Sequence, residues 1–225
     1  MITLPTVFRP RSCSLKMSVN QRVAASPFGG SEQAIDLMND RWLMSVEVHV
    51  AKSDSAAIEA FIGAIRGQTQ TVALWHFARP YIAGTLTVTS GSLTASGSQG
   101  SNQLVMSATG LTGTILAGDM IGVGGLLFMA AADATASDNS ITVPITNRVR
   151  VSVSGSVTLI KPTTLFRLLN TSDVAYIPGQ TNPVTFDFGE VITSTADLSY
   201  GYVLTKTLPT LTVPVPSVSV EVTTP

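Results

Sequence analysis

Charged residues are scarce in this sequence. Lysine, arginine, aspartate and glutamate together account for 12% of its 225 residues, and the formal net charge is −1. This charged fraction is about half that of an average soluble domain. Without a basic excess the chain cannot neutralise a row of phosphates, which argues against a nucleic-acid-binding protein. The low charge, combined with 44% apolar residues, also argues against intrinsic disorder and against a coiled coil.

Cysteine, histidine and long apolar runs are scarce as well. The single cysteine, Cys13, cannot form a disulfide within the chain, and no cysteine or histidine spacing matches a structural zinc site. The longest apolar run, 120–132, contains glycines and is shorter than the roughly 20 residues that cross a membrane as a helix. No continuous apolar stretch follows the basic N-terminal residues, so we expect neither a secretory signal nor membrane insertion.

Serine and threonine are abundant and make up roughly a quarter of the chain, well above their ordinary usage. A monomer of this size with so few charges has a thinly solvated surface. We therefore expect part of the surface to be covered by copies of the chain or by partners.

Several segments alternate between apolar and polar residues, which is the pattern of half-buried strands. The alternation is regular over 42–50, and valines alternate with polar residues over 148–154. Over 120–129 two apolar runs flank Gly124-Gly125, which predicts a hairpin closed by a primed turn. Further strands are expected over 71–77, 85–89, 140–145, 156–160, 184–188 and 198–205.

One segment has the periodicity of a helix. Its apolar positions are Ala57, Ile58, Phe61, Ile62 and Ile65. Ser53, Asp54 or Ser55 can cap its start, and Gly67 follows its last turn. We expect this helix to pack across a sheet. A second short helical turn is expected over 34–38.

The predicted fold class is all-β with one or two short helices. Charged and aromatic residues concentrate in the first and last thirds of the chain, whereas the middle third is rich in Ser, Thr, Gly and Val. We interpret 81–161 as a small inserted β-barrel or sandwich domain. Residues 1–80 and 162–205 then form one discontinuous β-sandwich or split-barrel domain. The proline-containing segment 206–225 is predicted to be an extended strap.

A few polar residues are candidates for catalysis. His49 and Glu47 fall on the same face of a predicted strand, and a carboxylate can orient an imidazole as a base or metal ligand. An ordinary solvated strand face has the same pattern. His76 lies between two aromatic residues, which favours a packed or interfacial histidine. Asp187 and Glu190 could be the paired carboxylates of a glycosidase, although Asp187 alternates with phenylalanines as on an exposed strand face.

The remaining candidates are weaker. Asp133 and Asp138 flank a loop that could bind calcium. Their spacing does not match an EF-hand and is typical of a plain turn. Cys13 has no nearby partner that would make it a nucleophile, which favours a buried small thiol. The sequence therefore predicts no enzyme, no cofactor and no metal site.

Five short stretches carry a resemblance to a known family. They are Ser-Pro-Phe-Gly-Gly-Ser-Glu-Gln at 26–33, Asp-Arg-Trp at 40–42, the helix end Arg-Gly-Gln at 66–68 with the aromatic strand after it, 117–125 with Ala-Asp-Ala-Thr at 132–135, and Phe-Asp-Phe-Gly-Glu-Val at 186–191. In their order and spacing the chain resembles the distal tail protein family of long-tailed, non-contractile phages (siphophages) of Gram-negative bacteria. The resemblance covers roughly residues 19–192.

The resemblance implies a structural virion protein at the phage tail tip, assembled in the host cytoplasm. Six copies would form a ring that joins the tail tube protein to the hub and fibre proteins. DNA would pass through an open lumen, and no cofactor would be needed. Phe28, Arg41 and Trp42 are the residues that we expect to fix the ring domain, by core or interface packing.

Two alternatives stay open. One is a carbohydrate-binding module that contacts the host surface, but such a module needs exposed aromatic residues, and 85–160 contains only Phe128. The other is a different tail ring subunit, such as the tube or terminator protein, which would also be a β-sandwich.

Overall fold

The computed structural model describes residues 1–25, 29, 32–36, 40–170 and 182–192. Antiparallel strands dominate this part of the chain, which contains one short helix. The predicted all-β class is confirmed. Within the described residues no helix has the length and apolar character needed to cross a membrane. The strand predicted over 198–205 and the strap predicted over 206–225 lie outside the described residues.

The elements are short and numerous. In chain order they are β1 (Pro10–Ser18), β2 (Gln21–Ala25), β3 (Glu32–Asp36), β4 (Arg41–Val50), α1 (Ser55–Ile65), β5 (Val72–Leu74), β6 (Thr94–Gly97), β7 (Gln103–Ser107), β8 (Thr114–Ile115), β9 (Met120–Val123), β10 (Leu126–Met129), β11 (Ala134–Thr135), β12 (Ser140–Pro144), β13 (Val153–Thr158), β14 (Thr164–Leu168) and β15 (Asn182–Glu190).

The first sheet contains five antiparallel strands in the order β1-β4-β15-β14-β5. Along β4 every second side chain from Trp42 to Val50 is buried, as the alternation predicted. Phe186 of β15 faces the same core, and its ring centroid lies 6.4 Å from that of Phe61 on α1. Helix α1 therefore packs across this sheet, as expected, and buries Ile58 and Ile65 there as well.

The second sheet contains six strands in the order β10-β9-β13-β6-β7-β12, all of which lie within 94–158. Strands β9 and β10 form the predicted hairpin. Gly124 and Gly125 close it at φ values of 58° and 80°, which glycine adopts without steric strain. A second hydrophobic core, which includes Phe128, forms among these strands.

The two cores meet at the β9–β10 hairpin. Met120 and Leu127 pack into the core of the first sheet, whereas Ile121 and Phe128 pack into the core of the second. The first sheet takes strands from both sides of the segment that builds the second. The division into a discontinuous domain and an inserted domain stays a prediction, and this hairpin is where their cores would touch.

Several local predictions are wrong. Residues 148–154 are not one strand, because β13 begins only at Val153, and the buried residues Val149 and Arg150 lie in the loop before it. The backbone of Val149 forms hydrogen bonds with Gly100 and Ser101, outside the strands of the sheet. The predicted helical turn over 34–38 is instead strand β3 as far as Asp36, because backbone pairing with β2 overrides the local helical tendency. Residues 85–89 form only one isolated bridge, at Thr87.

Candidate functional site

The three residues expected to fix the ring domain have different positions. Phe28 lies outside the described residues. Arg41 is exposed at the start of β4. Trp42, the next residue, is only 2% exposed. Of the two described residues, Trp42 is therefore the one with a packing role inside the chain.

Trp42 connects the two cores. Its indole Nε1–H donates to the carbonyl oxygen of Leu127 in β10 at 2.9 Å, and its backbone N–H donates to Glu190 Oε2 at 3.0 Å. The same Leu127 carbonyl also accepts a hydrogen bond from Asn147 Nδ2 at 3.0 Å. The Asp-Arg-Trp stretch thus positions an indole between the first sheet and the β9–β10 hairpin.

A buried ion pair lies beside this indole. The guanidinium of Arg150 donates to Glu190 through both terminal nitrogens, at 2.7 Å to Oε1 and 2.9 Å to Oε2. The two side chains are only 5% and 1% exposed. Arg150 Nη1 also donates to the backbone carbonyl of Asp40 at 3.0 Å. Two-point pairing of this kind fixes both orientation and distance.

Thr164 completes the set of contacts around the Glu190 carboxylate. Its hydroxyl is 3.2 Å from Glu190 Oε1 and 3.0 Å from the carbonyl oxygen of Gly125. We define Trp42, Arg150, Thr164 and Glu190 as the buried junction. It joins β4, β14 and β15 of the first sheet to the β9–β10 turn and to the loop before β13. Glu190 is held by neighbours on both oxygens, so it has the environment of a structural anchor rather than of a general acid.

Sequence reasoning missed Arg150 for a clear reason. The valine alternation placed Arg150 on the outer face of a strand, whereas the chain turns its guanidinium inward. A signal was available in the scarcity of charge. Glu190 ends the apolar Phe-Asp-Phe-Gly-Glu stretch, and a carboxylate in such surroundings is buried only if a cation accompanies it.

Asp187 and Glu190, the candidate carboxylates of a glycosidase, do not face one common site. Glu190 belongs to the buried junction, and Asp187 Oδ1 accepts a hydrogen bond from the Ser45 hydroxyl at 2.7 Å on the opposite face of the sheet. Neighbouring strand positions alternate between faces, so an odd separation of three residues along β15 directs the two carboxylates to different sides.

His49 and Glu47 do meet on the exposed face of β4. His49 Nε2 lies 2.9 Å from Glu47 Oε1, and Arg11 Nη1 lies 3.1 Å from His49 Nε2. The hydrogen bond from His49 lowers the pKa of Glu47, and a hydrogen bond from Ser12 lowers it further. The Ser12 hydroxyl donates to this carboxylate at 3.3 Å. A nucleophile would instead need its hydroxyl on the imidazole, so this cluster lacks the order of a catalytic triad.

His76 is packed, as its aromatic neighbours predicted. The side chain is buried, and its Nδ1 accepts a hydrogen bond from the backbone N–H of Arg79 at 3.2 Å. Burial lowers the pKa of His76 below its ordinary value of 6.5, and the nearby charge of Arg79 lowers it further. The neutral imidazole is therefore the form that the folded chain favours.

We predict a pH dependence of stability that arises from His76. Between the lowered pKa and about 6.5 the unfolded chain binds a proton that the folded chain does not. The free energy of unfolding should therefore fall as the pH is lowered through this window, by no more than about 1.4 kcal/mol per pH unit. The measurement is urea denaturation of the wild type and of His76→Asn across this range. The amide oxygen of asparagine can still accept the hydrogen bond from the backbone N–H of Arg79. The variant should therefore keep this contact and lose only the pH dependence of its free energy of unfolding.

His49→Asn is the matched control for this prediction, because His49 lies on the exposed face of the first sheet and is not buried in the core. It should keep the wild-type slope. An unchanged slope in His76→Asn would show that another group titrates.

The remaining candidates are structural. Asp133 Oδ1 accepts from the backbone N–H of Ala117 at 2.8 Å, and Asp138 lies in a tight turn at a φ of 51°. Burial raises the pKa of the Cys13 thiol, which disfavours the reactive thiolate. In the part of the chain that the structure describes, no three histidine, cysteine or acidic side chains are grouped as a metal site would require.

Asp119 has a role that sequence reasoning missed. Its buried carboxylate accepts three backbone hydrogen bonds, from Ala83 at 2.6 Å, Gly84 at 3.0 Å and Leu116 at 2.9 Å. It therefore fixes the segment after Pro80 against the start of β9. The cue was present in the Gly-Asp-Met-Ile-Gly stretch, since an aspartate directly before an apolar strand is often a local cap.

A serine-lined groove is the clearest candidate for a glycan site in the second sheet. It has a volume of about 380 Å³ and is bordered by Ser96, Ser101, Ser152 and their neighbours. Sugar rings usually need an aromatic surface for stacking, and Phe128 is only 1% exposed. The groove offers hydroxyl groups without such a surface, so it does not favour the carbohydrate-binding alternative.

The β2–β3 hairpin is the most exposed structural element. Its two strands pair only with each other within the described residues, and every described side chain over 21–25 and 32–35 is exposed. Val23 and Ile35 on the hairpin are 53% and 45% exposed, and Val19 just before it is 50% exposed. An isolated two-stranded hairpin is marginally stable in water, so these apolar side chains mark a surface for association.

No family model matches the sequence, and a search of curated proteins found no match.

Proposed function

We propose that this chain is a structural ring subunit at the distal end of a phage tail. The ring would connect the tail tube protein to the hub and fibre proteins and keep a lumen open for DNA. The five stretches that resemble the distal tail protein family support this assignment. The observation that carries it is the β2–β3 hairpin, which pairs with no other described strand and leaves Val23 and Ile35 uncovered by the described residues.

The hairpin favours a second copy of this chain as its partner. Strand β1, which precedes it, is an outer strand of the first sheet and pairs only with β4 in the described chain. An outer strand with free backbone groups can pair with a strand from another molecule. The hairpin and the outer strand are two different surfaces, and contacts between different surfaces close into a ring when the rotation is suitable.

The sparse charge agrees with this proposal. A subunit with neighbours on both sides in a ring exposes much less surface than a monomer, so it needs fewer charged side chains for solubility. A net charge of −1 also gives a lumen no strong attraction for DNA, which would let the polymer slide rather than bind. The function is assembly and passage, and it involves no chemical turnover.

The first test of the proposal is the native mass of the purified chain, with negative-stain images of the main species. We expect a species near six times 23.5 kDa that appears as a ring with an open centre. Mixing with tail tube protein should then cap the ends of tubes. Extension of the tubes would instead identify a tube subunit, and a monomer that ignores tube protein would overturn the proposal.

We further predict that charges on the hairpin abolish the ring. The double variant Val23→Asp and Ile35→Asp places a carboxylate on each face of the hairpin, and burial of an unpaired charge at an interface is strongly unfavourable. Native mass should fall from the ring to the monomer, with an unchanged far-ultraviolet circular dichroism spectrum. Val105→Asp is the matched control, because Val105 is a 41% exposed valine on β7. Loss of the ring in Val105→Asp would show that the effect is not specific to the hairpin.

A further inference from the structure

A large apolar groove lies along the β5 side of the first sheet. It has a volume of about 770 Å³, within the range of ligand-binding pockets. Its lining includes Ile2, Leu4, Phe8, Trp75, Phe77 and Lys161. We call it the aromatic groove. The function proposed above does not involve this groove.

The N-terminal segment forms one wall of this groove. Ile2 pairs in parallel with Val72, and its backbone N–H donates to the carbonyl oxygen of Thr71 at 2.8 Å. Phe8 is buried, with its ring centroid 5.4 Å from that of Phe186 and 6.0 Å from that of Phe77. This wall is therefore anchored in the core of the first sheet.

The segment after β5 forms the other wall. The rings of Trp75 and Phe77 are 4.8 Å apart, and both side chains are only partly buried. Lys161 Nζ lies 5.3 Å from the centre of the Trp75 ring, a cation–π distance. Two partly covered aromatic rings beside an anchored apolar wall make a surface suited to an apolar, extended peptide.

The chain itself passes close to this groove. The backbone N–H of Val191 donates to the carbonyl oxygen of Leu165 at 2.9 Å, and Leu165 pairs with Ala73, which lines the groove. Neighbouring strands are about 4.8 Å apart, so β15 runs only about 10 Å from β5. The thirteen residues from 193 to 205 can span up to about 43 Å when extended, which is enough to return to the groove.

The segment 206–225 has the composition that such a groove would accept. It contains seven leucines and valines and four prolines but only two charged residues, Lys206 and Glu221. A residue before a proline favours extended conformations, which applies to Leu208, Val213, Val215 and Thr224. Extended proline-containing segments dock on aromatic grooves at a low entropic cost because their conformation is already restricted.

We propose that residues 206–225 occupy the aromatic groove of their own chain. Proline and valine side chains of this segment would cover Trp75 and Phe77, and the groove would in turn shield the most apolar stretch near the end of the sequence. This inference is independent of ring formation, because it concerns a contact within one chain.

The test uses the full chain with the photo-cross-linking residue p-benzoylphenylalanine in place of Phe77. Irradiation should attach this position to the tryptic peptide 207–225, which trypsin releases after Lys206. The matched control carries the same residue at Tyr81, which is 64% exposed and does not line the groove. Several-fold more of the tail peptide should be captured from position 77 than from position 81. Equal capture, or none, would overturn the proposal.

An isotope mixture identifies the chain that supplies the segment. Nitrogen-15-labelled and unlabelled chains are combined before irradiation. Cross-linked peptide pairs in which both parts carry the same label are expected. Pairs of mixed label would overturn the contact within one chain and assign the groove to the tail of a neighbour.

A second variant keeps the test informative if the cross-linking residue disturbs folding. Val213→Asp with Val215→Asp in the full chain should release the segment from the groove. Acrylamide should then quench tryptophan fluorescence more strongly than in the wild type, because Trp75 becomes accessible while Trp42 stays buried at 2% exposure. Unchanged quenching in this variant would contradict the proposal.

Discussion

Replacing Arg150 with methionine is expected to lower the free energy of unfolding by about 3–5 kcal/mol, one of the two largest effects that we predict. Methionine preserves much of the side-chain length but leaves the Glu190 carboxylate, 1% exposed, without its cation. The loss also removes the hydrogen bond to the carbonyl oxygen of Asp40. Chemical denaturation followed by circular dichroism measures the change.

Arg148→Met is the matched control, because Arg148 is exposed two residues earlier in the same loop. Its effect should stay within about 0.5 kcal/mol. The double variant Arg150→Met and Glu190→Leu should be more stable than Arg150→Met alone, since it leaves no buried charge unpaired. A double variant that is less stable than the single one would show that the hydrogen bonds of Glu190 to Trp42 and Thr164 matter more than the charge.

Replacing Trp42 with alanine is expected to lower the free energy of unfolding by about 3–5 kcal/mol. The indole is 2% exposed and lies where the two cores meet, so its removal leaves a cavity at their contact. Trp42→Phe should cost much less. The Leu127 carbonyl keeps the hydrogen bond from Asn147, so it is not left without a donor when the indole N–H is lost. Thermal or urea denaturation of both variants measures the two losses of stability.

Arg41→Ala tests the neighbouring residue of the same stretch. Arg41 is exposed, so its replacement should change the stability of the monomer by no more than about 0.5 kcal/mol. A large loss of stability in Arg41→Ala would mean that Arg41 has a structural role within the chain. A loss of ring assembly without a loss of stability would instead place Arg41 at an interface between copies.

The sequence predicts individual elements well where the apolar periodicity is regular or where a glycine pair marks a turn. The 42–50 alternation, the helix over 57–65 and the Gly124-Gly125 hairpin are all present in the structure. These features depend on local periodicity and on glycine conformation, which neighbouring residues dictate. The sequence does not predict strand β1, because its burial is irregular along Pro10–Ser18 and no regular alternation marks it.

The candidate site was less predictable. Trp42 was identified through its family-like stretch, but its partners come from residues that are 85 and 148 positions away in the sequence. The valine alternation wrongly predicts an exposed Arg150, whereas the guanidinium pairs with the buried Glu190 carboxylate. An ion pair between distant segments leaves no periodic pattern in the sequence. The remaining indication is a charged residue within an apolar stretch of a chain that has few charges.

The sequence by itself determined the all-β class, the amphipathic helix α1 and the low charge that favours an assembled rather than solitary protein. Composition and short-range periodicity are sufficient for these properties, because they describe which side chains must leave water. The tertiary structure alone decided that Arg150 and Glu190 form a buried pair, that the other described residues leave the β2–β3 hairpin uncovered, and that the aromatic groove lies at β5, two strands away from β15. These features depend on which distant strands become neighbours, and the geometry of the whole fold fixes that choice.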